Sequence, residues 1–406
     1  MSSSFNVVIV GNGVAGVTAA RTIKEKNPNT KVTIYTDENS NYYPRPRLYE
    51  ILSGKSDPKD IVVFSDEGYK KQGITVHLDK KAVKIDTEQK KLILDDQTEV
   101  SYDKLILANG AHCFVPPIKG SEKKGTFTLR NIKDAMTIRE YTKNTKKAII
   151  IGGGLLGLEF AFALRKLGQQ VTVIELSQRL LPRQLDNDGA TILKERIEAL
   201  DINIVLGAKT AEILGKEKVT GVLLDSGKTI QGDLVLISAG IRCNIALATE
   251  SGINVNRGVI VDNYLKTSAD NIYAIGDIAE FNGTVYGIIP AAVDQAKNAA
   301  ENIQGKQTIY EGTVPTNTLK VMGIDLTSAG LVNPEDTKYE EIKETDKKKG
   351  IYKKLVLDKG KIVGAIILGE TKPVHSIKRF IAQETDVTKY KNLILKDDFD
   401  YKRITA

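Results

Sequence analysis

Val7-Val8-Ile9-Val10-Gly11-Asn12-Gly13-Val14-Ala15-Gly16 and, about 140 residues later, Ala148-Ile149-Ile150-Ile151-Gly152-Gly153-Gly154-Leu155-Leu156-Gly157 are two copies of one pattern. Each opens with an apolar run that reads as a buried parallel strand and continues as G-x-G-x-x-G. An Ala- and Leu-rich stretch with helical spacing follows. The first glycine permits a tight turn, and the second lets backbone N–H groups approach a pyrophosphate. The third lets the new helix pack against its strand, so that the helix N-terminus faces an anion. A second strand then ends in acid on schedule: Val32-Thr33-Ile34-Tyr35 before Asp37-Glu38, and Val171-Thr172-Val173-Ile174 before Glu175. Both acids stand roughly 20 residues past the last glycine, where a carboxylate accepts hydrogen bonds from ribose hydroxyls. One such match could be a glycine-rich turn in any α/β domain. Two complete matches point to two dinucleotides.

The sequels repeat as well. A polar hairpin-like stretch at Ile74–Thr98 precedes the strand Lys104–Leu107 and its Ala108-Asn109-Gly110 ending. A hairpin around Val219–Ile230, with an Asp225-Ser226-Gly227-Lys228 turn, precedes Leu234–Ile237 and Ser238-Ala239-Gly240. This is an internal repeat. Thr267 to Asp277 then gives another strand closing on Gly276-Asp277, and an Ala-rich helix runs from about Pro290 to Ile303. Beyond about 310, alternation in Lys354–Leu357 and Lys361–Leu368 around Asp358-Lys359-Gly360 predicts antiparallel strands, and Ser376–Gln383 has helical spacing. The fold expected is α/β: two Rossmann-like dinucleotide-binding domains, the second inserted in the first, plus a small α+β C-terminal domain. The boundaries read as 1–112 with 240–309, 113–239, and 310–406.

A chain of 406 residues suits several domains, and no apolar run approaches the roughly 18 residues of a membrane helix. The first strand begins by residue 6, which leaves a signal peptide no room in this sequence. The two cysteines, Cys113 and Cys243, have no C-x-x-C spacing, as in a reducing compartment; a cytoplasmic location is expected. His77, His112 and His375 are isolated, and no metal site is expected. The net charge is +7, with lysines collected in Lys347-Lys348-Lys349 and Lys353-Lys354. Such runs read as a solvated face. No nucleic-acid motif accompanies them, and the alternative to a solvated face is steering of an acidic partner protein.

On these motifs the chain resembles two-dinucleotide-fold flavoprotein reductases of the pyridine nucleotide–disulfide oxidoreductase superfamily. Within it, the chain is most similar to NADH:rubredoxin oxidoreductases and the flavoprotein part of assimilatory nitrite reductases. The narrower signals are Tyr42-Tyr43-Pro44-Arg45-Pro46-Arg47-Leu48, Arg183-Gln184-Leu185-Asp186 and Leu319-Lys320-Val321-Met322-Gly323-Ile324-Asp325-Leu326. Asn109 departs from the usual Ala-Thr-Gly.

The resemblance implies that the first fingerprint binds FAD, through Gly11, Asn12, Gly13, Val14, Ala15 and Gly16, with Asp37 and Glu38 at the strand end. Asp277 would hold the ribityl chain, Arg45 and Arg130 would contact FAD, and Val83 would border the adenine. Ala108, Asn109 and Gly110 complete that set. The second fingerprint would bind the nicotinamide cofactor through Gly152, Gly154, Leu155, Leu156 and Gly157, with Gly240 at the matching strand end. Glu175 favours NADH, because a 2′-phosphate would meet a carboxylate, although Arg179 stands nearby. Disulfide reductases of the superfamily carry cysteines in the stretch matching Tyr42 to Leu52, and this chain has none there.

The mechanism implied is hydride transfer from NADH to flavin and single-electron transfer to a small iron protein, of rubredoxin or ferredoxin type. Glu159 resembles a glutamate near the nicotinamide–flavin junction. Glu50 stands where monooxygenase-type ferredoxin reductases carry a lysine that pairs with it; two carboxylates cannot make that pair, so the junction is expected to be more negative or to share a proton. An NADH oxidase and a flavin-bearing interaction protein switched by reduction are the competing readings.

Overall fold

A computed structural model describes residues 5–404. The chain divides into two compact units. One runs up to Leu48 and resumes over Ser56–Phe114 and Gly240–Thr313. The other comprises Tyr49–Lys55, Val115–Ala239 and the chain from Val314 onward.

The first unit is built on a five-stranded parallel sheet, ordered Ile272–Ala274, Lys104–Leu107, Asn6–Val10, Lys31–Tyr35, Ile74–His77. The central run Val7, Val8 and Ile9 is wholly buried, as expected for a parallel strand covered on both faces. The helix Val14–Lys26 turns Ala15, Ala19 and Ala20 inward, and the helix Ile289–Ile303 presents Ala292, Ala296 and Ala299 to the same core. Small side chains let these two helices pack closely. The expected hairpin over Ile74–Thr98 needs correction at its start. Ile74–His77 instead pairs in parallel with Lys31–Tyr35, and the antiparallel sheet is three-stranded, from Ala82–Asp86, Lys91–Leu94 and Glu99–Ser101. Alternation in a short strand does not distinguish a hairpin arm from a sheet edge, and here a partner some 40 residues earlier decides. Two short strands, Ala111–Cys113 and Ile241–Cys243, pair antiparallel beside the sheet.

The second unit repeats the plan. Its parallel sheet is ordered Ile202–Val205, Gln170–Ile174, Lys147–Ile151, Leu234–Ile237, Thr126–Phe127, and its antiparallel sheet comprises Thr210–Leu214, Gly221–Leu224 and Thr229–Gln231. The rest is a five-stranded antiparallel sheet, ordered Thr316–Val321, Ile324–Gly330, Lys361–Leu368, Ile351–Asp358, Glu340–Asp346. The helix Val374–Ala382 covers one face through Ile377 and Phe380. It starts two residues before the spacing predicts because Pro373 presets the backbone at its entry. The helix Asn187–Glu198 packs against the strand Ile351–Asp358.

The lysine pair in that strand corrects a second expectation. Lys353 and Lys354 are 2 % exposed, not solvated. Consecutive residues of a strand face opposite ways, and each lysine meets its own set of acids. Lys354 lies 2.7 Å from Glu341 and 3.3 Å from Asp186. Lys353 lies 2.8 Å from Asp397, 3.2 Å from Glu370 and 3.4 Å from Glu344, and donates to the Leu395 carbonyl at 2.6 Å. By contrast, Lys347, Lys348 and Lys349 are exposed at a hairpin end. No helix among the described residues is long and apolar enough to cross a membrane.

Candidate dinucleotide-binding sites

The two fingerprints have the same geometry. Gly11 and Gly152 take left-handed φ values of +109° and +118°, and a Cβ on either would stand 2.3 Å from the Ala108 carbonyl oxygen or 2.2 Å from that of Ser238. A Cβ on Gly16 would lie 2.0 Å from the Gly11 oxygen, and one on Gly157 would lie 2.1 Å from the Gly152 oxygen. Only hydrogen fits at these four places. The middle glycines are different: a Cβ on Gly13 or Gly154 would meet nothing within 4 Å. Each of these two caps its helix without a side-chain hydrogen bond, and neither first turn carries an acid. Open space before unsatisfied amides, at the positive end of a helix dipole, is what a pyrophosphate needs.

In the first unit, Asn12 is buried in the turn, and its Oδ1 accepts from the Tyr69 hydroxyl at 2.9 Å. Burial pushes that hydroxyl up to about 12, so it stays a donor. Val14 and Ala15 begin the helix. Of the two acids at the strand end, Asp37 is exposed, whereas Glu38 is drawn in. Its carboxylate accepts from Arg45 Nη2 at 2.5 Å and from the Tyr43 hydroxyl at 2.5 Å. Arg45 is also within the field of Asp277, which sits in the single turn Gly276–Ile278. Glu38, Tyr43, Arg45 and Asp277 are therefore one group. The turn is fixed from behind, where the Gly276 amide donates to the buried Gln295 at 2.7 Å. Val83 falls where the pairing of Ala82–Asp86 with Lys91–Leu94 shifts register, and it is half-buried.

Asn109 has a structural reason to depart from threonine. Its amide donates to the Asn244 carbonyl at 3.0 Å, and the Asn244 amide returns a bond to the Asn109 carbonyl at 2.7 Å. Ala108 is buried, and Gly110 takes a left-handed φ of +65°. Cys243 donates to the Asp277 carbonyl at 3.1 Å, and burial pushes its thiol up, which leaves it inert.

In the second unit both oxygens of Glu175 are engaged by backbone amides, Gly153 at 2.7 Å and Ser177 at 2.7 Å. This explains a glycine that pattern reading passed over. A Cβ on Gly153 would press on Leu180 at 2.8 Å and on Glu175 at 3.1 Å. Arg179 is committed to its own loop, donating to the carbonyls of Leu185 and Pro182 and to Asn187, each at 3.3 Å. Leu155 and Leu156 form the first helical turn, and Gly240 follows the strand Leu234–Ile237 with a left-handed φ of +101°. The half-buried Arg130 precedes the helix Ile132–Thr142, and its amide donates to Asp134 at 2.9 Å.

Glu159, in the second turn of the fingerprint helix, accepts from the Met322 amide at 3.0 Å. Burial pushes its carboxyl up, against the pull of that amide and of Lys166. Glu50 is buried in the helix Leu48–Leu52. Position in sequence could not show that the Met322 amide meets Glu159.

Residues 5–302 match the family of pyridine nucleotide-disulphide oxidoreductases, and residues 315–385 match the C-terminal domain of rubredoxin NAD+ reductases. The chain belongs to the pyridine nucleotide-disulphide oxidoreductase family. It is 40 % identical over 385 residues to a nitrite reductase [NAD(P)H] of Bacillus subtilis, covering 94 % of this chain and 48 % of that protein. It is 31 % identical to the NADH-rubredoxin oxidoreductase of Clostridium acetobutylicum, covering 93 % of this chain and 94 % of that one. The crystal structure of the ferredoxin reductase for the CYP199A2 system of Rhodopseudomonas palustris is 26 % identical, with a TM-score of 0.90 over 99 % of this chain and 100 % of that one. The chain spans about half the length of the nitrite reductases it matches. Membership in this oxidoreductase family carries FAD and NADH as cofactors, and the two open glycine turns fit two dinucleotides.

Proposed function

We propose that this chain is an FAD-containing, NADH-dependent reductase that passes electrons from NADH through the flavin to a small one-electron iron protein such as rubredoxin. One observation carries the reading: two matching glycine turns, each open only at its middle glycine, in a chain whose last domain is of the rubredoxin-reductase type. Relatives named for rubredoxin and ferredoxin support the acceptor class.

Residues 1–112 with 240–309 form the FAD-binding domain, 113–239 the NAD-binding domain and 310–406 an interface domain. When bound, NADH supplies a hydride and FAD converts that two-electron delivery into single-electron steps. The protein binds and orients. The amides after Gly13 and Gly154 hold the two pyrophosphates. Glu38, steadied by Arg45 and Tyr43, accepts from the FAD ribose, and Asp277 accepts from the ribityl hydroxyls. Val83 borders the adenine, and Arg130 gives a further cation to FAD. Glu175, held rigid by two amides, keeps lone pairs for the NADH ribose and disfavours a 2′-phosphate. Glu50 stands where related reductases carry a lysine, and its carboxylate opposes the gain of negative charge nearby.

Anaerobic mixing of the FAD-loaded chain with NADH tests the reading. The flavin absorbance should bleach within the turnover time and recover slowly in oxygen. Rapid recovery in oxygen would replace the reading by an oxidase. A persistent NADH–flavin charge-transfer band without turnover would replace it by a redox-switched interaction protein.

A further inference from the structure

The contact between Glu159 and Met322 joins two parts of the second unit that the sequence keeps 163 residues apart. Glu159 is two residues past Gly157, near the start of the helix Leu155–Lys166. At about 1.5 Å of rise per residue, it stands within roughly one turn of the amides that face a dinucleotide. Side chains on a helix tilt toward its N-terminus, so the Glu159 carboxylate leans back toward the glycine turn. Met322 forms, with Gly323, the two-residue tip of the hairpin Thr316–Val321 and Ile324–Gly330, in register through Val321 and Ile324.

That tip has an unusual composition. Met322 and Gly323 both take left-handed φ values, +52° and +84°. Two successive positive φ values make the tight hairpin turn in which asparagine or glycine is the normal first residue, because a larger side chain is strained there. Here the position is a methionine, and it is 4 % exposed. The amide of the first turn residue points away from the hairpin, with no partner in its own strands, and Glu159 takes it. A strained tip, a buried side chain and an outside acceptor thus converge on one residue.

We propose that the Met322–Gly323 tip is a wall of the nicotinamide-nucleotide site contributed by the C-terminal domain, and that Glu159 is the positioning residue that holds it there. The inference rests on the reading that the second fingerprint binds NADH. In it, Glu159 acts by accepting one hydrogen bond from a backbone amide, not by moving a proton or contributing charge. An amide oxygen can do the same, so glutamine should substitute for glutamate and alanine should not.

The test compares the FAD-loaded full chain with its Glu159→Ala and Glu159→Gln forms. Amide hydrogen exchange is followed over the hairpin tip, and NAD+ is titrated into the oxidised protein, where no hydride is transferred. Glu159→Ala should speed exchange at the tip by about tenfold, as expected when a buried amide loses its one acceptor. It should also weaken NAD+ binding by a comparable factor. Glu159→Gln should keep the tip protected and the NAD+ affinity within about twofold of the original, an amide oxygen being a competent acceptor. Unchanged exchange in Glu159→Ala would overturn the proposal. So would a Glu159→Gln form that binds NAD+ as weakly as Glu159→Ala, since charge would then be what matters. If the unsubstituted chain binds no NAD+, the nucleotide reading falls and takes the proposal with it. Tight NAD+ binding that ignores both substitutions sinks the proposal alone.

Discussion

Replacing Gly154 by alanine separates nucleotide binding from folding. Its backbone is extended, at φ −77° and ψ 175°, a region every residue adopts, and an added Cβ would meet nothing within 4 Å. The folded protein should therefore keep its stability or gain about 0.4–1 kcal/mol, since alanine has less freedom to lose on folding. The same methyl group occupies the space through which a pyrophosphate must reach the helix amides. Losing one charge-assisted bond there costs about 1.5–3 kcal/mol, so NAD+ affinity should fall by roughly 10- to 100-fold. Gly157→Ala is the counterpart, because its Cβ would stand 2.1 Å from the Gly152 oxygen, deep inside contact distance. Overpacking of that kind costs about 3 kcal/mol, and the second unit should melt earlier whether or not nucleotide is present. Thermal melts of the FAD-loaded chain, paired with calorimetric titration of NAD+, read both effects. A Gly154→Ala protein that binds NAD+ as tightly as the parent would refute the reasoning, because the open space would then not be the pyrophosphate's.

Glu175→Gln should raise NADPH turnover relative to NADH, measured as the ratio of kcat/KM values, and an unmoved ratio would remove Glu175 from the ribose site. Acid stability should respond to Asp186, which caps the helix Asn187–Glu198. Burial works against its charge, but the Tyr352 hydroxyl at 2.6 Å, the Gly189 amide, Lys354 and Lys343 hold its carboxyl below the ordinary range. A depressed folded-state value gives stability that is present above the unfolded value, about 3.9, and is lost as pH falls through the folded value. The melting-temperature advantage of the parent over Asp186→Asn should thus be full near neutrality and shrink below about pH 4; a constant gap would contradict it. The net charge of +7 predicts that reduction of an acidic iron carrier slows as salt rises, toward the regime where screening acts over about 8 Å. A flat salt profile would remove electrostatic docking from the account.

Gly153 apart, the glycine turns are legible in the sequence because each glycine answers to a local need: a positive φ, a close carbonyl or an open approach. Their strands were legible for a similar reason, since buried parallel strands are apolar without alternation. What local pattern could not supply were partners distant in the chain. Ile74–His77 looked like a hairpin arm until Lys31–Tyr35 claimed it. Lys353 and Lys354 looked solvated because the acids that neutralise them are Asp186, Glu341, Glu370 and Asp397, scattered over two hundred residues. Gly153 seemed dispensable in the fingerprint, yet Glu175 and Leu180 leave it no room for a side chain. Glu159 stands out in the sequence by its place on the fingerprint helix, but its bond to Met322 depends on a hairpin that lies beyond both nucleotide folds.

Electron delivery to an iron carrier tests the central claim most directly. The FAD-loaded chain is reduced anaerobically with one equivalent of NADH, then mixed in a second step with either oxidised rubredoxin or oxygenated buffer, and flavin re-oxidation is timed. The account predicts that rubredoxin re-oxidises the flavin much faster than oxygen does, with two rubredoxin molecules reduced per NADH consumed. Flavin that stays reduced in rubredoxin but recovers promptly in oxygen would contradict it.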